Sequence, residues 1–120
     1  MPFKSELELR SHPREDLWEV ARPLQYLTRD CRLVVVPAGY RTDLASVPRI
    51  AWSLVPRDEE AARRASVLHD YLYTDLTARF TRQEADRIFH DALLEDGMPR
   101  ALAWLLWCAV RVGGRGNWEA

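Results

Sequence analysis

Gly39-Tyr40-Arg41-Thr42-Asp43-Leu44-Ala45-Ser46-Val47-Pro48 is the stretch at which this chain changes from one kind of sequence to another. Before this corner, apolar residues come in short groups typical of strands; after it, they recur at helical spacing. The corner carries four polar side chains within six residues, namely Arg41, Thr42, Asp43 and Ser46. Polar groups at a joint between core elements need partners. We therefore expect polar residues from later in the chain to meet them.

The residues before the corner predict a three-stranded antiparallel meander between about 3 and 40. Apolar and polar residues alternate over 3–9, as in a half-buried strand. Residues 17–27 continue this character on either side of Pro23, which cannot donate to a ladder and predicts an edge or a bulge. The continuous apolar run 33–36 predicts a strand covered on both faces.

The residues after the corner, which spans about 39–49, predict three helices: about 58–76, 81–96 and 99–112. Thr81 and Glu84 have the spacing of a capping box at the start of the second helix. Gly97 ends that helix, and Pro99 opens the third. The two halves together predict a single α+β domain over residues 1–120, with the helices packed on the meander.

Composition excludes several classes of protein. The chain has 120 residues and a formal net charge of -1, which gives no bulk field for binding nucleic acid. Cys31 and Cys108 have no redox or zinc spacing, and we expect buried free thiols. The apolar run 101–110 is too short to span a bilayer, and charges near the N-terminus are unlike a signal peptide. We therefore expect a protein made in a cytoplasm, without a membrane span.

Four residues from three segments could form one polar site: Asp43, His69, Asp70 and Asp86. The helix from about 58 returns His69 and Asp70 towards the corner, and Asp86 lies among core-facing positions of the next helix. An imidazole and carboxylates can bind a divalent metal such as zinc, with an open position for water. They can equally form a structural lock, in which each oxygen meets an arginine or a backbone amide. The sequence leaves both interpretations open.

The third helix is apolar on every side, which is more than one small domain easily covers. We expect its core stripe to consist of Leu102, Leu105, Leu106 and Ala109. That choice leaves Trp104, Trp107 or both near the surface, and exposed tryptophans indicate a protein partner or an oligomer. Alternatively, Trp52, Trp118 and the meander cover both indoles.

Four motifs resemble one family: 39–52 (GYRTDLASVPRIAW), 69–73 (HDYLY), 84–89 (EADRIF) and 110–114 (VRVGG). They are similar to DUF1353, an uncharacterised family of bacteriophage and prophage proteins. The resemblance covers most of the chain and implies a phage-derived origin, without supplying an activity. It also implies which positions matter for the family: Thr42, Asp43, Ser46, His69, Asp70, Tyr73, Asp86 and Arg111.

Two functions follow as expectations. In the first, the protein is a virion, tail or assembly component that contacts phage structural proteins or itself and contains a buried His/Asp cluster. It would be made in the cytoplasm of the bacterial host and could be incorporated in the virion. In the second, it is a metal-dependent hydrolase acting on the bacterial envelope during infection or lysis. Asp43, His69, Asp70 and Asp86 would then be ligands and catalytic groups, supported by Thr42, Ser46, Tyr73 and Arg111.

Overall fold

The computed structural model describes residue 3 and residues 9–11, 18–42, 60–76 and 79–113. Asp43, Ser46 and the rest of the corner after Thr42 lie outside these residues. The chain divides into two compact units, Met1–Asp43 and Leu44–Ala120. The single domain expected from the sequence stays a prediction. In the described part, no helix is both long enough and apolar enough to cross a membrane.

The first unit contains short antiparallel strands in two sheets. The strands are β1 (Leu9–Ser11), β2 (Trp18–Val20), β3 (Leu24–Leu27), β4 (Leu33–Val36) and β5 (Arg41–Thr42). One sheet has the order β1-β2-β5, and the other is the hairpin β3-β4. The α+β class is confirmed, whereas the predicted single meander differs from the observed arrangement.

The difference from a meander lies in the path of the chain between β2 and β5. The chain leaves the β2 ladder before Pro23, so the β3-β4 hairpin is an insertion and β5 returns to pair with β2. The amide of Val20 donates to the carbonyl of Tyr40 at 2.8 Å, and the amide of Gly39 donates to the carbonyl of Val20 at 2.7 Å. Gly39 has a φ of 90°, a conformation that glycine adopts without strain.

The hairpin strand β4 is covered on one face only. Val34 and Val36 are buried, whereas Leu33 and Val35 are exposed. The expectation that both faces are covered was therefore wrong. Successive side chains of a strand point to opposite faces, and an antiparallel hairpin can leave one of them in solvent.

The turn between β3 and β4 is built around Asp30. The hydroxyl of Thr28 donates to Asp30 Oδ1, and Arg32 Nη2 lies 2.7 Å from Asp30 Oδ2. The amide of Arg32 in turn donates to Thr28 Oγ1 at 2.8 Å. We name Thr28, Asp30 and Arg32 the Asp30 cluster. Cys31 follows at a φ of 66°, and its side chain is exposed, which corrects the expected burial of this thiol.

The described part of the second unit contains three helices at the predicted places: α1 (Glu60–Thr74), α2 (Arg82–Glu95) and α3 (Arg100–Gly113). The capping box at the start of α2 is confirmed, with Thr81 and Glu84 bonding each other's amides. Gly97, at a φ of 95°, ends α2. The amides of Gly97 and Met98 bond the carbonyls of Leu94 and Leu93, which is the Schellman pattern.

Helix α2 packs against both α1 and α3. The buried side of α3 consists of Ala103, Leu106 and Val110, so the predicted stripe was right for Leu106 and wrong for Leu105, which is exposed. Because α3 is apolar all round, composition could not select its inward face. With this side turned inward, Arg111 also bonds a carboxylate on α2.

Candidate functional site: a buried carboxylate shared by three helices

The side chain of Asp86 on α2 is completely buried and bonds to residues of α1 and α3. Its Oδ1 accepts from His69 Nε2 at 2.6 Å and from the Tyr73 hydroxyl at 2.5 Å, both on α1. Its Oδ2 accepts from Arg111 Nη1 on α3 at 2.8 Å. We name these four residues the Asp86 cluster.

Local sequence explains how the donors converge on Asp86. His69 and Tyr73 are four residues apart and therefore lie on the same face of α1. Their rings contact each other with centroids 4.1 Å apart, and the ring of Phe89 on α2 lies 5.0 Å from that of His69. The imidazole thus contacts two aromatic rings, and its Nε2 bonds the carboxylate.

Competing effects act on the pKa of Asp86. Burial raises it, but hydrogen bonds from His69, Tyr73 and Arg111 outweigh burial, so that the pKa lies below its ordinary value of 3.8. Asp86 is therefore ionised at neutral pH and can only accept hydrogen bonds. It follows that the N–H group at His69 Nε2 donates the hydrogen bond to Asp86.

Burial and the neighbouring negative charge act in the same direction on Tyr73. Its pKa is raised far above 10.0, first by burial and then by the bond to Asp86, while the nearby cation of Arg82 lowers it slightly. The phenol therefore stays protonated and keeps donating throughout the neutral and mildly alkaline range.

Arg82 makes a second connection between α2 and α3. Its Nη2 donates to the carbonyl of Val110 at 3.2 Å and to that of Arg111 at 2.6 Å, in the last turn of α3. A cation in the first turn of a helix interacts unfavourably with the helix dipole. The position of Arg82 at the start of α2 therefore predicts that its side chain bonds a group outside that helix. Sequence reasoning missed it. The bond fixes the backbone from which Arg111 reaches Asp86.

The opposite end of the α1–α2 pair has an ion pair that sequence reasoning also missed. Arg64 Nε and Nη2 lie 2.9 and 2.8 Å from Asp96 Oδ2, and both side chains are largely buried. Asp96 is the C-cap of α2. Polar bonds therefore hold α1 against α2 at both ends.

The structure brings together some of the predicted site residues. Of the quartet Asp43, His69, Asp70 and Asp86, His69 and Asp86 bond directly, and Asp43 lies outside the described residues. Asp70 is buried one position after His69; its carbonyl accepts from the hydroxyl of Thr74, and it has a further interaction. Tyr73 and Arg111, which the resemblance implied, complete the group. The clustering of three members of the quartet stays a prediction.

The remaining two supporting residues have different outcomes. Thr42 is buried in β5 of the first unit, where its backbone pairs with that of Trp18. Ser46 lies outside the described residues.

The described contacts of Asp86 are direct hydrogen bonds to protein groups. Zinc ligands lie about 2.0–2.2 Å from the metal, which places the ligand atoms of a tetrahedral site about 3.3 Å apart. His69 Nε2 and Asp86 Oδ1 are only 2.6 Å apart and bond each other directly. The guanidinium of Arg111 bonds the other carboxylate oxygen, Oδ2 of Asp86. Within the described residues, no three His, Cys, Asp or Glu side chains form a group that could hold a metal.

The outer surface of α3 has exposed apolar side chains, in contrast to the buried polar groups of the Asp86 cluster. Trp104 is 56% exposed, Leu105 43% and Val112 81%, and Ala101 beside them is exposed too. We name these four residues the α3 patch. Trp107 is half-buried, and its ring lies 6.4 Å from that of His90 in an edge-on arrangement. The tryptophan interface stays a prediction.

Two open grooves flank Trp104. The first, of about 410 Å³, is lined by Gln83, Arg87, His90, Trp104 and Trp107. The second, of about 370 Å³, is lined by His90, Leu94, Arg100, Ala101 and Trp104. Both grooves therefore lie between α2 and α3, and they share His90 and Trp104.

Comparison with known proteins identifies the family. A family described as "Protein of unknown function (DUF1353)" matches residues 18–110. The chain belongs to DUF1353. This match covers His69, Tyr73 and Asp86 and ends one residue before Arg111, so it contains most of the Asp86 cluster.

The DUF1353 chain also has a curated relative in a bacterium. It is 35% identical over 80 residues to "Uncharacterized protein y4jT" of Sinorhizobium fredii (strain NBRC 101917 / NGR234). That alignment covers 66% of this chain and 23% of the relative, so the chain spans about a quarter of that protein. No solved structure matches the chain.

Proposed function

We propose that this DUF1353 protein is a phage-derived virion, tail or assembly component that acts through protein–protein contacts of its α3 patch. The observation that carries the proposal is the exposure of Trp104, Leu105 and Val112 on one helix. Exposed apolar patches are typical of interaction sites. Tryptophan in particular is enriched at interfaces, where one large ring buries much area.

The way in which α3 is held supports this role. Arg111 bonds Asp86, and Arg82 bonds the last carbonyls of α3, so polar contacts fix the helix from its inward side and its end. A surface on a fixed helix loses little conformational freedom when a partner binds. The Asp86 cluster therefore serves the interface by presenting the α3 patch in one orientation.

The Asp86 cluster favours this proposal over the hydrolase. A metal-dependent hydrolase would need His69 and Asp86 to face a common third point with a free position for water. These two groups face each other instead, and each oxygen of Asp86 already accepts a donor. The phage setting is suggested by the resemblance of the four motifs to bacteriophage and prophage proteins.

Fractionation of phage particles and their precursors from a producing host tests the proposal. The wild-type chain should sediment with particles or with assembly intermediates. The double variant Trp104→Gln/Leu105→Gln should stay in the free fraction while keeping the wild-type unfolding midpoint. Leu33→Gln/Val35→Gln is the matched control, because it also removes two exposed apolar side chains, on β4. A wild-type chain that remains free at every stage of assembly would overturn the proposal.

A further inference from the structure

We propose that the α3 patch and its two grooves bind an acidic amphipathic helix of a partner protein. This inference rests on the proposed function, because it identifies the chemistry of the partner that the α3 patch contacts. It adds two requirements: the partner brings carboxylates to the groove rims, and it brings an apolar stripe to α3.

Two unneutralised cations at the rims indicate the charge of the partner. Arg87 lines the first groove and Arg100 the second, and both side chains are exposed. Among the described residues, no carboxylate forms an ion pair with either of them. No acidic residue occurs among the described groove-lining residues. Complementary charge on the partner would therefore be negative.

The apolar part of the surface favours a protein over a nucleic acid. Indole rings and arginines can bind single-stranded nucleic acid by stacking and phosphate contacts. The α3 patch, however, continues past the grooves through Leu105 to Val112, both aliphatic and exposed. Aliphatic side chains gain most from burial against other apolar groups, which a protein partner supplies.

The spacing along α3 favours a helical partner. Ala101, Leu105, Cys108 and Val112 recur at intervals of four, three and four residues, which is the spacing of a helix–helix seam. Small Ala101 and half-buried Cys108 alternate with the larger Leu105 and Val112. A second amphipathic helix can pack its own apolar side chains over the smaller positions.

A second copy of this chain fits the same surface less well. Helix α3 contains Arg100 and Arg111 and no acidic residue. A second copy of α3 would face Arg100 without a carboxylate in either orientation, because α3 contains no acidic residue and its Arg111 already bonds Asp86. Like charges at an interface disfavour binding.

Three synthetic helical peptides with one common leucine stripe test the inference. Their flanking positions carry glutamate, glutamine or lysine, and binding is measured by fluorescence anisotropy at low and high salt. The glutamate peptide should bind at least about tenfold more tightly than the glutamine peptide, and the lysine peptide most weakly. High salt should reduce this preference.

A charge reversal makes the test specific to the grooves. Arg87→Glu/Arg100→Glu should invert the order, so that the lysine peptide binds best. The matched control is Arg63→Glu/Arg79→Glu, which changes the same charge at two exposed positions outside both grooves and should keep the wild-type order. Trp104→Gln should weaken binding of every peptide.

Several results would overturn the inference. Equal binding of the three peptides, or no binding, rules out an acidic helical partner. Binding of oligothymidylate that Trp104→Gln removes would assign the surface to nucleic acid. Concentration-dependent self-association lost in the same variant would assign it to a second copy. If the wild-type chain still sediments with particles after such a result, only the inference of an acidic helical partner is wrong, and the proposed role as a virion or assembly component stands. If the wild-type chain does not sediment with particles, the proposed role itself is wrong.

Discussion

Asp30 and Asp86 are two carboxylates with similar donors and opposite surroundings. Each accepts a hydroxyl and a guanidinium: Thr28 and Arg32 for Asp30, Tyr73 and Arg111 for Asp86. The side chain of Asp30 is 57% exposed, whereas that of Asp86 is 0% exposed. The pKa of each lies below its ordinary value, for Asp30 chiefly because of the bonds from Arg32 and Thr28.

The distance along the chain separates the roles of these two clusters. The partners of Asp30 are two residues away and shape one turn, whereas those of Asp86 are 17, 13 and 25 residues away and connect three helices. Water can replace donors lost at Asp30 but cannot reach Asp86. Similar bonds therefore have different energetic consequences, set by burial rather than by bond number.

Neutralising each carboxylate in turn tests most directly whether burial makes Asp86 contribute more to stability than Asp30. Asp86→Asn keeps the shape but leaves buried donors facing an amide, and should lower the free energy of unfolding by about 3–5 kcal/mol. Asp30→Asn should cause only a small loss, because solvent replaces the missing bonds. Urea denaturation of both variants measures the contrast. Equal losses would show that burial does not distinguish the two clusters.

Removing one donor measures the contribution of a single hydrogen bond in the Asp86 cluster. Tyr73→Phe deletes the hydroxyl bond to a charged acceptor and should cost about 1.5–3 kcal/mol at neutral pH. The pKa of Tyr73 is raised above 10.0 in the folded state. The stabilisation that Tyr73 contributes is therefore fully present below pH 10 and is lost as the pH rises from 10 through the pKa of the folded state. Stability measured across that range should fall less steeply in Tyr73→Phe than in wild type. An unchanged slope contradicts the assignment.

Lowering the pH should remove the contribution of Asp86 to the free energy of unfolding, just as raising the pH removes that of Tyr73. Because the pKa of Asp86 is below 3.8 when folded, its contribution is present above pH 3.8 and is lost as pH falls below that value. Denaturation curves between neutral and acid pH should show this loss in wild type and a flatter dependence in Asp86→Asn. Parallel curves would indicate that other carboxylates account for acid sensitivity.

Salt separates the two carboxylates without a mutation. Salt ions and water compete with an exposed ion pair but cannot reach a buried one. At 1 M ionic strength the pKa of Asp30 should therefore rise towards its ordinary value, while that of Asp86 should change little. NMR titration of the side-chain carboxyl carbons follows both residues in one sample. Equal shifts would contradict the difference in solvent access.

The smallest effect concerns Cys31, next to Asp30. Its φ of 66° suits glycine better than a residue with a Cβ. Cys31→Gly should raise the free energy of unfolding by less than about 1 kcal/mol, because glycine also gains freedom in the unfolded chain. Cys31→Ala keeps the Cβ and should show no such gain. Identical midpoints for the two variants would indicate that no strain is present.

Sequence predicted well what short-range rules control. Thr81, Glu84 and Gly97 define the ends of α2 through bonds spanning a few residues, so their roles could be read directly. The polar character of His69 and Asp86 was also visible, because each lies among apolar residues on its helix. Such positions indicate that a partner exists without identifying it.

Sequence failed where distant partners decide. The return of β5 to β2 depends on pairing across an inserted hairpin, which no local pattern encodes. The buried side of α3 coincides with the contact of Arg111 to Asp86, which apolar content alone does not predict. The exposure of Leu105 follows from that rotation.

The order of the Asp86 cluster along the chain has a consequence for synthesis. His69 and Tyr73 leave the ribosome first, Asp86 follows, and Arg111 comes last. A product that stops before α3 lacks the Arg111 donor to Oδ2 of Asp86. A buried carboxylate without its partner is costly. The cluster therefore forms in full only after translation has passed through α3.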